Sequence, residues 1–298
     1  MRRAVVLVIL LFGCRGSAPA AAPWANVPAT VEVVGEDTYV TFQPLRITRI
    51  RLDGAKPVTK DLLVHGVEGA VKDVDVDRTD SGWELSFKER SPVAEVVLLG
   101  VKASKLRVTI PAGEVPDPKG AKPDPKSLEE LGDFKTTFYW VEFEETWAKD
   151  PADTAILDDD GNELGKFAKR FVERIKIEGT GKLRDGRVIN VTGKDGRFEV
   201  VKCPNGLGVK GYHLIPFRSV AVDKDVVPVG TELYVPLAVG AKLPDGTVHD
   251  GRFWAHDVGG GIDGKHLDFF TGAGDQREVL EKAGLKNLRE AKIYRVVR

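Results

Sequence analysis

The chain has 298 residues, with 44 Lys and Arg against 45 Asp and Glu, a net charge of −1. That balance excludes the basic surface a nucleic-acid binder needs, so no nucleic acid is expected among the partners. Two cysteines exclude a disulfide framework, and the length suits two domains.

Met1-Arg2-Arg3, the apolar run Ala4 to Phe12 and then Gly13-Cys14 form a secretory start, too short to span a bilayer. Leu11-Phe12-Gly13-Cys14 resembles the bacterial lipobox. The resemblance implies cleavage before Cys14, a lipid on Cys14 and a membrane anchor. Arg15, where an aspartate would retain the protein at the inner membrane, favours the outer membrane, with the chain facing the periplasm. An ordinary signal peptide cut near Ala18 to Ala22 is the alternative. Cys203 is then unpaired and is expected as a small buried residue. Residues 14–29 are rich in Ala and Pro and are read as a flexible tether.

From 30 to 111 short apolar or alternating runs predict a small β-sandwich-like domain. They are Val31 to Val33, Tyr39 to Phe42, Ile47 to Leu52, Val71 to Val76, Trp83 to Phe87, Val96 to Leu99 and Leu106 to Ile110. His65 is expected at the surface and Trp83 in the core; neither suggests chemistry. Residues 112–128 are a proline-rich linker, and Ser127 to Glu130 one helical turn.

Residues 129–298 are predicted as a mainly β barrel with short helices. Phe134 to Phe143 reads as its first strand, Asp160-Gly161 as a hairpin turn and Lys166 to Val172 as a helix with Phe167 and Phe171 on one face. Strands are expected at Ile175 to Ile177, Val188 to Val191, Phe198 to Val201, Ser219 to Val222, Glu232 to Val235, Arg252 to Ala255 and Ala291 to Val297, and a helix at Val279 to Ala283.

The most informative stretch runs from Asp257 to Gly274. Gly259, Gly260 and Gly261 follow Asp257 and permit a tight turn close to a ligand. Asp268 sits among Leu267, Phe269 and Phe270; if these pack near it, desolvation raises its pKa and suits it to proton donation. Together with Ala221-Val222-Asp223, Pro228-Val229-Gly230-Thr231, Gly264, Gly272 and Ile293 to Val296, the stretch resembles the 3D domain, named for three aspartates. Asp223, Asp257 and Asp268 fall on those positions. The D-V-G-G sequence, His266 two before the last aspartate and Gly272-x-Gly274 are most similar to the C-terminal part of the membrane-bound lytic transglycosylase A family.

That resemblance implies a six-stranded double-psi β-barrel and cleavage of the MurNAc–GlcNAc β-1,4 bond of peptidoglycan. The sugar's own 6-hydroxyl is the nucleophile and the product is a 1,6-anhydro sugar. One carboxyl then suffices, where ordinary glycosidases use two. By position Asp268 is that acid and base, Asp257 polarises or positions, and Asp223 is either catalytic or a turn cap. Tyr139 and Trp140 can stack on sugars or belong to the core; Gly259, Gly260 and Lys265 are further binding candidates. No cofactor and no metal are expected, since His256, Asp257, Asp263, His266 and Asp268 match no zinc spacing. Asp263 stands where the family carries a lysine. The large second domain of the family is not evident between Phe134 and Cys203. A non-catalytic, expansin-like wall-binding lipoprotein is the alternative reading.

Overall fold

The computed structural model describes residues 23–58, 61–115, 122–192 and 196–297. Cys14 and the signal lie outside them.

The first unit is one eight-stranded sheet. Its strands are β1 (Trp24–Val27), β2 (Thr30–Val34), β3 (Asp37–Asp53), β4 (Leu62–Gly66), β5 (Gly69–Ala70), β6 (Val74–Arg78), β7 (Gly82–Leu98) and β8 (Arg107–Pro111). β3 and β7 are 17 residues each and pair antiparallel from Thr38↔Leu98 to Asp53↔Gly82. Register shifts after Thr41 and after Ile47 bend the pair near its middle. β2 and β4 flank one half, β6 and β8 the other. The halves enclose one core containing Val40, Ile47, Leu52, Trp83, Leu85 and Val108.

Two expectations are corrected here. The runs at Tyr39 and Ile47, like those at Trp83 and Val96, are halves of single long strands, joined through bulges that the run-by-run pattern splits. The tether ends earlier than expected: Trp24–Val27 pairs with β8, and the Arg51 guanidinium lies 4.0 Å from the Trp24 ring.

The second unit is a nine-stranded sheet. Its strands are β9 (Leu128–Phe143), β12 (Thr180–Lys182), β13 (Val188–Val191), β14 (Phe198–Val201), β15 (Ser219–Val222), β16 (Glu232–Tyr234), β17 (Arg252–Asp257), β18 (His266–Ala273) and β19 (Arg289–Val296). β9, β18, β15, β17, β16 and β19 pair in that order, and β19 pairs back to β9. The ring closes as the expected six-stranded barrel, with parallel seams at β9–β18 and β15–β17. Phe134, Phe138, Val220, Val222, Leu233, Phe253, Leu267, Phe269 and Ile293 fill its interior.

Between β9 and β15 the chain builds a small lobe. It holds the hairpin β10 (Ala152–Leu157) and β11 (Glu163–Ala168), helix α1 (Lys169–Glu178), and β12 to β14 added to the edge of β9. Phe167 and Phe171, with rings 5.9 Å apart, pack there with Val172, Ile175, Ile189 and Phe198. The hairpin turn at Asp160-Gly161 forms as predicted. Ile175 to Ile177, expected as a strand, is helix: Phe171, Val172 and Ile175 make an i, i+1, i+4 face, and Gly179 at φ 82° ends it. Lys166 to Ala168, expected as helix, completes β11. Val188–Val191 and Phe198–Val201 are strands but stand outside the barrel ring.

Ser127 ends a 3-10 turn begun at Pro125 and capped by Asp124; from Leu128 the chain is already β9, paired with β19, rather than helical. Helix α2 (Glu278–Ala283) lies where expected. The two units touch directly. His256 Nε2 lies 2.7 Å from the Val67 carbonyl, Arg218 Nε donates to Gln43, Lys182 pairs with Glu32, and Val67, Ala94, Ile215 and Trp254 form an apolar cluster between them.

Candidate active site

Strand register builds the site. β15 lies between β17 and β18, and Ala221 pairs with both Asp257 and Asp268; Asp268 in turn pairs with Thr137. Directly paired residues share a sheet face. Thr137, Asp268, Ala221 and Asp257 therefore form one row across four strands, on the outer face of the barrel. Ala221 packs on that face with Tyr139, Val141, Leu214, Ile262 and Phe270.

Alternation corrects the reason expected for the acidity of Asp268. Leu267 and Phe269 point into the barrel interior, away from it. Phe270 and Tyr139 stand on its own face, their rings 5.1 Å apart. Burial raises the Asp268 pKa to about 6, against the opposing pull of the Thr137 hydroxyl and the Lys135 ammonium. Lys135 pairs in register with His266 and is the cation that acts on Asp268; sequence reasoning missed it. Asp263 acts on His266 instead.

Asp257 rises further, to about 7. Burial is the main cause, partly offset by the Val258 N–H at 2.9 Å and the Tyr139 hydroxyl at 3.3 Å; the charge of Asp268 adds to the rise. A third buried carboxyl, Glu178 at the end of α1, is pushed up to about 7 by burial. It accepts from the Trp140 N–H and pairs with Arg174 at 2.6 Å, and Asp268 contributes to its rise. Nothing in its sequence pattern marked it: it reads as the last polar residue before a helix-ending glycine.

Thr137 Oγ1 donates to Asp268 Oδ1 at 2.7 Å and lies 2.8 Å from His266 Nε2. Thr137 carries one hydrogen. When it goes to an ionised Asp268, His266 donates to Thr137. When Asp268 carries the proton, the chain runs the other way, Asp268 to Thr137 to His266. The arrangement satisfies both protonation states of the acid. His266 is buried, and burial together with Lys135 lowers its pKa.

The remaining sequence candidates separate. Asp223 accepts from the N–H groups of Gly264 and Asp225 at 2.8 and 2.9 Å, which holds its pKa down. It acts as the turn cap, tying the end of β15 to the glycine loop. Gly264, at φ +63°, supplies that N–H from a conformation few side chains adopt. A Cβ at Gly259 would meet the Ile262 side chain at 2.5 Å, whereas Gly260 faces open space. Lys265 does not face the acids: its ammonium donates to the Leu131 carbonyl at 2.7 Å.

Tyr139 and Trp140 are 6% and 7% exposed, so neither ring is free to stack on a sugar. Tyr139 serves Asp257 through its hydroxyl. Trp140 donates to Glu142 and is covered by the Arg174 guanidinium, 4.7 Å from its ring centroid. His256 is fully buried, its ring nitrogens engaged with Ser219 and Val67, and belongs to no cluster with Asp257. Cys203 is buried as expected.

No curated protein matches the chain. Similar solved structures include E. coli MltA with bound chitohexaose, at 15% identity and a TM-score of 0.40, covering 56% of this chain and 73% of that one. A membrane-bound lytic murein transglycosylase from Agrobacterium tumefaciens is similar at 16%, TM-score 0.39, with 56% and 74% covered. The lytic transglycosylase LtgG of Burkholderia pseudomallei is similar at 18%, TM-score 0.34, with 55% and 71% covered. The family model of the 3D domain matches residues 218–295, from just before β15 into β19, and so contains both raised aspartates.

Proposed function

We propose that the protein cleaves peptidoglycan glycan strands as a lytic transglycosylase, with Asp268 as acid and then base. The observation that carries this reading is the Asp268 carboxyl itself: half-buried on the barrel's outer face, raised to about 6, and bonded to Thr137 in a chain that tolerates either protonation state. Protonated Asp268 gives its proton to the glycosidic oxygen as the bond to the anomeric carbon breaks. The resulting carboxylate removes the proton from the sugar's 6-hydroxyl as that oxygen closes on the anomeric carbon. Proton and electrons balance within the sugar, no water is consumed, and the acid is regenerated. Acid–base help of this kind is worth about 10²- to 10⁴-fold.

Asp257, held by Tyr139 and Val258, has a positioning role beside the acid. Glu178 ties the lobe carrying α1 to β9 through the Trp140 N–H and feels the charge of Asp268, which supports a role for the lobe in shaping the glycan path. The outer-membrane anchor through Cys14 belongs to the same proposal and rests on the lipobox resemblance alone.

The test is digestion of purified sacculi with the full chain and with Asp268→Asn, followed by mass spectrometry of the fragments. Anhydro-muropeptides from the wild type alone support the proposal. Reducing-end products lost in the variant would instead mean hydrolysis in the same barrel. Equal binding to sacculi without release from either form would replace the enzyme with an expansin-like binding module. For the anchor, Cys14→Ala should leave the protein soluble in the periplasm; continued membrane association would remove the lipid from the account.

A further inference from the structure

A second cluster of chemically capable side chains lies away from Asp268, where the N-terminal sheet meets the barrel. His65, expected at the surface, is half-buried on β4 and pairs directly with Glu95 of β7 across the antiparallel seam. His213, from the loop leading to β15, reaches the same point from the other unit: its Nδ1 lies 2.6 Å from Glu95 Oε1, and its ring stacks on that of His65 with centroids 3.9 Å apart. One ligand atom from each of the three lies within 4.8 Å of the others.

A hydrogen bond between Glu95 and His213 accounts for two of these residues and leaves the third unexplained. His65 Nε2 is buried and has no hydrogen-bond partner. A buried polar nitrogen left without a partner is destabilising, so its presence asks for a ligand. Glu95 is only 4% exposed, and acidic side chains buried to that degree are ordinarily paired or hold a metal. Two imidazoles and one carboxylate are the donor types of a zinc site, with three protein ligands and a fourth position open. The open side here gives onto a cavity of about 190 Å³, also lined by Glu32, Gln43 and Asn205. Zinc at about 2.0–2.2 Å from each ligand places neighbouring ligand atoms about 3.3 Å apart. The two rings stack with their planes 18° apart; an imidazole lone pair lies in the ring plane, so binding turns one ring out of the stack to bring the three atoms to that spacing.

We infer that His65, Glu95 and His213 bind one divalent transition-metal ion of the zinc type, which clasps the N-terminal sheet to the barrel. The ion takes the place of the proton between Glu95 and His213 and accepts the lone pair of His65; no electron is transferred and no bond of the chain is broken. Proximity in the sequence draws attention to His256, Asp257 and Asp263, whereas the trio that converges comes from three segments far apart in the chain.

The test uses the full-length chain, purified in detergent and stripped with EDTA, titrated calorimetrically with zinc chloride and, in parallel, with cobalt(II) followed by visible absorption. The expected result is one ion per chain, a cobalt spectrum with nitrogen ligation, and a higher melting temperature with zinc. His65→Ala should weaken zinc binding at least about tenfold and remove the thermal shift. It has no hydrogen bond at Nε2 to lose, so it should fold; circular dichroism checks this. Glu95→Gln, which keeps a partner for His213, is the second variant and should weaken binding likewise. The inference is overturned if the wild type takes up no zinc or cobalt, or if both variants bind as the wild type does. Sacculus digestion stands apart from this titration, because Asp268 lies outside the trio.

Discussion

In the N-terminal sheet, Glu84 meets Arg51 at 2.7 Å and Asp53 faces Arg107 in solvent-accessible pairs. In the barrel and its lobe, Asp257, Asp268 and Glu178 are desolvated and pushed toward neutrality. Buried ionisable groups follow the same division among the described residues: Glu142, Glu144, Glu178, Arg218, Glu232, His249, His256 and His266 lie in the second unit, whereas Glu95, in the first, faces the barrel. Both units bury comparable apolar clusters, so core size does not separate them. Buried carboxyls paired with arginine serve structure, whereas carboxyls held dry with raised pKa, such as Asp257 and Asp268, are the kind that gather at functional sites.

The largest effect expected from this contrast is on activity. Asp268→Asn should reduce fragment release from sacculi by about 10²- to 10⁴-fold. The same change at exposed Asp75 of the sheet should leave release unaltered; equal losses would erase the distinction. Next comes stability. Trp83 is fully buried, and Trp83→Ala should cost the sheet about 3–5 kcal/mol in denaturant unfolding, without changing release per folded molecule.

Asp257→Asn should do the reverse in the barrel. The folded pKa of Asp257 is raised from 3.8 to about 7, so the native state holds the extra proton and wild-type stability falls as pH rises through that window. The variant should therefore be on the order of 2–4 kcal/mol more stable than wild type at pH 8 and no more stable at pH 4. Unfolding curves at the two pH values decide it; a gain independent of pH would contradict the desolvation account.

A smaller effect concerns the pH profile. In the proposed mechanism Asp268 works protonated, so kcat/KM should fall as pH rises past about 6. The Thr137 hydroxyl lowers that pKa, and Thr137→Val should move the alkaline limb upward by less than about one pH unit. An unmoved limb would detach Thr137 from the acid. Smallest of all, Glu84→Gln in the sheet should change stability by about 1 kcal/mol or less, as exposed pairs do.

Much of the barrel was legible in the sequence, for a physical reason. Ser219 to Val222 and Arg252 to Ala255 are short apolar runs between turns, and Asp223, Gly264 and Gly272 sit where the backbone needs their chemistry. The aspartates were legible as residues, but their environment was not. Leu267 and Phe269 are adjacent to Asp268 in the chain and opposite to it in space, while Thr137, Lys135 and Tyr139 arrive across a parallel seam that no local pattern encodes. Glu178 and the His65–Glu95–His213 trio were invisible for the same reason. The two long strands of the N-terminal sheet were broken into pieces because their bulges interrupt the alternation that marks a strand.

Strand β9 holds both the first and the last seam of the barrel, pairing with β18 on one side and β19 on the other. The Thr136 hydroxyl reaches the Arg289 carbonyl across 153 residues of chain. Until residues 289–296 have been made, β9 therefore lacks its partner on the β19 side and the barrel has no closed interior. The N-terminal sheet pairs within its own residues and can form while the rest is still being synthesised. Assembly is accordingly vectorial, with a fast, self-sufficient front and a slow final closure set by long-range pairing. During that interval the open β19 side of β9 is an unpaired strand edge, a template for aggregation.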